Sequence, residues 1–274
     1  MSARFTRPDD LSGATFTGVN LRGARFFGAS LRDARIAESD LTGLVLRGVD
    51  VSGVDIDAPW LIEGDNPLRI NGIAVGPYVE AELNRRFPGR AERRAADPDG
   101  LRAAWEVLQR AWAAALDRVA AMPAGTVDAS VDGEWSFAQT LRHLVLATDM
   151  WLGKAILQQG QPFHPLGLRD SGTEQAEQGS TDQAASPGSP AASAPSASLA
   201  SAPSYPDVLE VRAGRVAMVR DYLASVTADE LATTRPNPHN PTYSETVLSC
   251  LHTILEEEWE HLRFALRDLD SLEA

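Results

Sequence analysis

The sequence predicts a multidomain protein in which a short β-solenoid precedes an all-α bundle of four helices, and three observations predict it. Large apolar residues recur at every fifth position over the first fifth of the chain. Four later stretches place apolar residues three and four apart, the spacing of one helix face. A long segment of Ser, Ala, Pro, Gly and Gln separates the second of these stretches from the third. The boundaries that follow are 5–58 for the solenoid, 59–96 for a connector, 97–169 and 205–274 for the two parts of the bundle, and 170–204 for an insertion between them.

The five-residue period runs through Leu11, Phe16, Leu21, Phe26, Leu31, Ile36, Leu41, Leu46, Val51 and Ile56 without a break. A smaller side chain such as Ala14, Ala24, Ala29 or Val49 precedes most of them by two, and a polar one (Asn20, Ser30, Asp40, Asp50) sits immediately before. Five matches neither the helical period of about 3.6 nor the strand period of 2. It suits a chain that turns a corner every five residues, sending one large and one small side chain inward, with coils pairing edge to edge at about 4.8 Å. The triplets Val19-Asn20-Leu21, Ala29-Ser30-Leu31 and Ser39-Asp40-Leu41 resemble the pentapeptide-repeat family. The resemblance implies a right-handed, four-sided β-helix, of which ten repeats make two and a half coils; so short a solenoid buries little and is expected to serve as a docking or capping module.

In the connector, Asn71-Gly72 between apolar alternations is a hairpin signal, because both central residues of a type I′ turn need positive φ. A short helix is expected from Pro77 to Arg86. The five arginines between Arg85 and Arg94 have no aromatic stacking platform beside them and read as a solvated connector. The first long helix is expected from Asp99 to about Met122, with Leu101, Trp105, Leu108, Trp112, Leu116 and Val119 inward. The second spans Ser136 to Leu157, with Arg142 and Asp149 on its solvent side. The third runs from Asp207 to Val226, and Thr227 to Glu230 reads as a capped extra turn. The fourth runs from Ser244 to Leu272, with Thr253, Glu256, Glu260, Arg263 and Arg267 on the wet side. The insertion 170–204 holds one large apolar residue, Leu199, and cannot offset its ordering entropy; it is expected to be disordered.

Composition narrows the function. In 274 residues, 25 Lys and Arg face 38 Asp and Glu, a net charge of −13 that argues against nucleic acid as a partner. No apolar run is long enough to span a bilayer and no signal peptide opens the chain, so a cytoplasmic protein without membrane association is expected. The single cysteine, Cys250, excludes an internal disulfide and any multi-Cys zinc module.

Two of the five histidines fall on enclosed helix faces. His261 shares a face with Glu257 at a spacing of four and with Glu258 at a spacing of three. Glu258 falls in line with Leu251, Leu255 and Leu262, where an ionised carboxylate is costly unless paired or bound to metal. With His143 from the second helix, three ligands could hold a divalent ion and leave a coordination position open, the form of a catalytic zinc site. A hydrogen-bonded Glu–His pair without metal accounts for the same residues equally well. His164 and His239 lie in proline-rich loops, His252 on a polar side; Cys250 is expected to be a buried thiol.

The stretch from Gly133, Glu134, Trp135, Ser136 and Phe137 to His143, with Glu256-Glu257-Glu258-Trp259-Glu260-His261, resembles the DinB-like superfamily of metal-binding four-helix bundles. The usual signature there is a His in the second helix and an H-x-x-x-H pair in the fourth. His143 matches the first ligand and His261 the last, while the middle position falls on Glu257, which makes a His2Glu set. The resemblance implies a divalent metal cofactor (Zn, Ni, Fe or Mn) held by His143, Glu257 and His261. Glu258 is then a catalytic-site partner or a replacement ligand. It also implies a mycothiol-like thiol cosubstrate, and with it a metal-dependent, thiol-dependent transferase or isomerase acting on a small electrophile. The other expectation is a non-catalytic interaction or stress-response protein in which the solenoid docks a partner.

Overall fold

The computed structural model describes residues 4–7, 9–62, 64–169 and 203–274. The disorder expected of 170–204 falls on residues that lie, but for the last two, outside those described. Among the described residues the chain divides into one compact unit that ends at Gly53 and a second that takes in Val54–Arg169 and 203–274.

In the first unit the five-residue period is written into the backbone. Gly13, Gly18, Gly23, Gly28, Asp33, Glu38, Gly43, Gly48 and Gly53 all have positive φ, so a left-handed residue recurs at every fifth position. Every tenth residue starts a hydrogen-bonded turn: Ala14 N–H donates to Leu11 O at 3.0 Å, Ala24 to Leu21 at 2.9 Å, Ala34 to Leu31 at 3.2 Å and Leu44 to Leu41 at 2.9 Å. A positive φ at the third residue alone makes these type II turns, which favour glycine there. The polar residue before each large one has a mechanical role. Asp10, Asn20, Asp40 and Asp50 accept the N–H two residues on, at 2.9, 2.9, 2.9 and 3.0 Å, the Asx turn that nucleates a corner. The Ser12 and Thr42 hydroxyls and N–H groups hold the Asp10 and Asp40 carboxyls below their ordinary range.

Among the described residues the expected right-handed β-helix is not seen. The described residues of 9–57 include no strand, and the large apolar side chains stay exposed, from 45% at Leu11 to 62% at Phe26. Corners form because they need only local hydrogen bonds. Edge-to-edge pairing needs apolar rungs covered above and below, and two and a half coils offer few such rungs.

The second unit begins with a hairpin. Strands β1 (Arg69–Ile70) and β2 (Ile73–Ala74) pair antiparallel with Ile70 opposite Ile73. Asn71 and Gly72 turn between them at φ 51° and 83°, as a type I′ turn requires. Helix α1 (Gly76–Arg86) follows, then a 3-10 turn at Arg90–Arg94. Gly89 is obligatory at this junction: its φ is 97°, and a Cβ would stand 2.1 Å from Val107 Cγ1.

Helix α2 (Pro98–Ala120) is capped by Asp97, whose carboxylate accepts Gly100 N–H at 2.9 Å. Helix α3 (Phe137–Thr148) opens with a reciprocal capping box between Ser136 and Gln139 and continues as a π-helix over Asp149–Ile156. Helix α4 (Tyr205–Ser225) is capped by Ser204, and the short α5 (Ala228–Leu231) by Thr227. Strands β3 (Thr234–Pro236) and β4 (Ser244–Thr246) form a second hairpin where the sequence pointed to loop and helix start. Thr246 then caps α6 (Val247–Glu273).

Helices α2, α3, α4 and α6 pack in pairs around one core: α3 lies on α4 and α6, and α2 on α4 and α6. Leu101, Leu108, Leu144, Leu152, Val247 and Leu262 are fully buried there. Among the described residues no helix is long and apolar enough to cross a membrane.

Five charged residues expected in solvent are buried instead. Arg90 and Arg93, assigned to a solvated connector, are 2% and 1% exposed. Glu256 and Glu260, placed on the wet side of the last helix, receive them: Arg93 Nε donates to Glu256 at 3.1 Å and Arg90 Nη2 to Glu260 at 2.8 Å. Glu80 of α1 closes the network at 2.8 Å from both arginines, and the pair holds its carboxyl low against the opposing effect of burial. Asp149, also expected outside, is 1% exposed and takes Arg215 Nε at 2.6 Å. Residue by residue these positions are polar. Partners elsewhere in the chain let them be buried.

Candidate metal centre

The site is built where α3 faces α6. His143 lies two turns into α3, and Glu257 and His261 lie one turn apart on α6, so both helices present their ligands from rigid backbone. One ligand atom from each of His143, Glu257 and His261 falls within 4.8 Å of the other two. Glu257 Oε2 is the hub, 3.4 Å from His143 Nε2 and 3.5 Å from His261 Nδ1. The two imidazoles stack at 4.6 Å with 19° between their planes. Trp135, which precedes the α3 cap, covers both, at 4.7 Å from His143 and 6.0 Å from His261.

A backbone carbonyl faces Nδ1 of each ring. A carbonyl oxygen only accepts, so Leu168 O at 3.3 Å favours a proton on His143 Nδ1, while the Glu257 carboxylate at 3.4 Å favours one on Nε2. His261 Nδ1 donates to Glu257 O at 2.8 Å. His143 Nε2 faces a carboxylate oxygen, an arrangement that calls for a cation or a proton between them. Burial pushes the Glu257 carboxyl up, but His143, His261 and His239 together outweigh it and hold it below its ordinary value. The donor set, two imidazoles and one carboxylate held low by them, is one a divalent ion accepts.

The structure does not bring Glu258 into this group. Its side chain is 1% exposed, and Arg212 of α4 donates Nη2 to both carboxylate oxygens. Burial pushes this carboxyl above its ordinary value, with Arg212 opposing. The remaining candidates also lie apart. His252 is half-buried with Nε2 2.8 Å from Ala95 O, and the exposed His239 ring rests 5.5 Å from Trp151. Cys250 is fully buried, and burial raises its thiol to about 11. Trp135 is the site residue that sequence reasoning missed, although it stands inside the stretch that ends at His143. On the other side of Glu257, a cleft of about 360 Å³ opens between α6 and Trp60, Arg94 and Trp151.

Residues 107–265 match the profile of the DinB superfamily, more than half of the chain. The chain belongs to the DinB superfamily. Its first part carries pentapeptide repeats, matched in eight copies over 10–43 and 24–57. No curated protein and no solved structure matches the chain.

Proposed function

We propose that the protein is a metal-dependent enzyme that uses a low-molecular-weight thiol to transfer to, or isomerise, a small electrophile. His143, Glu257 and His261 would hold a divalent ion, Zn, Ni, Fe or Mn. The observation that carries this reading is their convergence from two helices onto one point, within 4.8 Å. A bound divalent ion supplies Lewis acidity, lowering the pKa of a thiol or water so that the nucleophile is populated at neutral pH.

The chain's own groups do the rest. Leu168 O and Glu257 O hold the two rings through Nδ1, which leaves His143 Nε2 facing the Glu257 carboxylate. Trp135 shields the stacked rings from water on one side. The cleft against Glu257 has the volume of a small-molecule site and combines two indole rings with Arg94 and His252. Glu258 belongs to the ion pair with Arg212 and takes no part in the chemistry.

Metal analysis of the purified full chain after exposure to Zn or Ni tests the reading. One ion per chain, lost in His143→Ala, together with thiol consumption in the presence of an electrophile and mycothiol or glutathione, is expected. Sub-stoichiometric metal unchanged by His143→Ala overturns it in favour of a non-catalytic protein whose repeat unit docks a partner.

A further inference from the structure

The cleft beside Glu257 follows one stripe of α6. Thr246, Ser249, Thr253 and Glu257 line it at spacings of three and four. At 1.5 Å per residue it therefore runs about 16 Å along the helix axis. Its far end is built differently from the end at Glu257. Trp151, carried by the π-helical stretch, lines the cleft and rests 5.5 Å from His239 in the loop between β3 and β4. Glu245 of β4 also lines it and is tied to Asn237 of the same hairpin at 3.1 Å, so an indole and a carboxylate share that end.

The charges there do not cancel. Glu256 takes Arg93 Nε at 3.1 Å and Arg94 Nη2 at 3.0 Å, so the arginine that lines the cleft already has a counter-charge. His252 Nε2 is occupied by Ala95 O at 2.8 Å. The half-buried Glu245 receives neutral donors: Asn237 Nδ2 on one oxygen and Ser249 Oγ, at 2.8 Å, on the other. Each oxygen keeps a further lone pair. Arg235, opposite Glu245 in the hairpin, turns instead to Ile156 O, Thr233 Oγ1 and Thr234 O. Among the described residues no cationic side chain forms an ion pair with Glu245.

We propose that the far end of the cleft binds an organic ammonium group between the Glu245 carboxylate and the Trp151 indole, and that the substrate carries such a cation remote from its reacting atom. The inference rests on the reading of the Glu257 end as the place where the substrate reacts. A cation over an indole face is attracted by the ring's electron-rich surface, most strongly where water is partly excluded. Trp60, the second indole of the cleft, offers an apolar wall to the rest of the molecule. An anion would have to take Arg94 from Glu256, and the net charge of −13 favours the approach of cations. The length of the cleft keeps the ammonium away from a divalent ion at the other end, where the two charges would repel.

The test uses the metal-free full chain labelled with ¹⁵N-tryptophan and a series of probes of one length: n-hexylammonium, n-hexanol and hexanoate. Indole N–H shifts of Trp60 and Trp151 report occupancy. Hexylammonium should bind about tenfold tighter than hexanol, and hexanoate more weakly than either. Glu245→Gln removes the charge and keeps the shape. It should weaken hexylammonium about tenfold and leave hexanol unaltered, a difference that loss of the fold would not produce. Trp151→Leu, followed at Trp60, should weaken hexylammonium more than hexanol. Hexanoate bound tighter than hexylammonium, or a hexylammonium affinity equal to that of hexanol or unmoved by Glu245→Gln, overturns the ammonium site. A chain that takes up zinc but does not prefer hexylammonium overturns this inference alone. One that prefers hexylammonium but takes up no zinc overturns the metal reading and leaves the cation site standing.

Discussion

Arg90 and Glu260 stand 170 positions apart in the chain and meet at 2.8 Å with both side chains almost wholly buried. Arg93 and Glu256 repeat the arrangement one helical turn away. Charges withdrawn from water in this way cost little while paired and much when one partner is lost. Arg93→Ala is expected to destabilise the protein by about 3 kcal/mol, measured by urea denaturation. The Arg94 guanidinium, 3.0 Å from Glu256, keeps the loss from being larger.

Gly89→Ala should act through the same network. The added methyl collides with Val107, so the 3-10 turn must leave α2 and carry Arg90 and Arg93 away from α6. A loss of stability of about 3 kcal/mol or more is expected, and it should add poorly to that of Arg93→Ala because both break one contact set. Full additivity in the double variant would show that the turn and the ion pairs are independent.

The two adjacent glutamates of α6 should separate cleanly in function. Glu257→Ala is expected to weaken zinc affinity by about 100-fold, followed by competition with a chromogenic chelator. Glu258→Gln should leave affinity unaltered, because that carboxylate faces Arg212. Its effect should fall on stability, as Arg212 loses a full counter-charge.

Cys250 gives a prediction for alkaline pH. Burial raises its thiol to about 11 from an ordinary 9.0. Between those values the unfolded chain has lost the proton that the folded chain retains, so stability falls as pH rises through the window. Wild type should lose about 2 kcal/mol more than Cys250→Ala between pH 8 and 11, by denaturant titration. At pH 8 a thiol reagent should label one equivalent only after denaturation.

In the repeat unit Asp33 adopts φ 60° where seven of the nine equivalent positions carry glycine. A side chain there costs about 1 kcal/mol. Asp33→Gly should therefore slow amide hydrogen exchange across residues 31–40, and faster exchange would contradict the assignment of strain.

Much of this was legible in the sequence wherever one segment carried its own signal. The corners of the repeat, the Asn71-Gly72 hairpin and the apolar stripes of α2, α3, α4 and α6 depend on spacings within a few residues. The meeting of His143 with Glu257 and His261 was legible too, because helical phase puts all three on enclosed faces. Partnership at long range was not. Asp149, Glu256 and Glu260 look like solvent positions on their own helices, and only Arg215, Arg93 and Arg90, distant in sequence, make their burial tolerable. Nor could a helical pattern show that Leu168 would return to His143 or that Trp135 would cover it. The solenoid misled in the opposite sense: its period was clear, while stacking depends on how many coils there are to share the rungs.

Glu256, Glu257 and Glu258 follow one another on α6, about 100° apart around the axis, and each answers to a different neighbour: Arg93 and Arg94, the stacked imidazoles, and Arg212. The outer two carboxylates therefore work as a rotational key. A turn of the helix by a single residue would present the wrong acid to every socket at once, so the angular setting of the middle one is locked by contacts that never touch it.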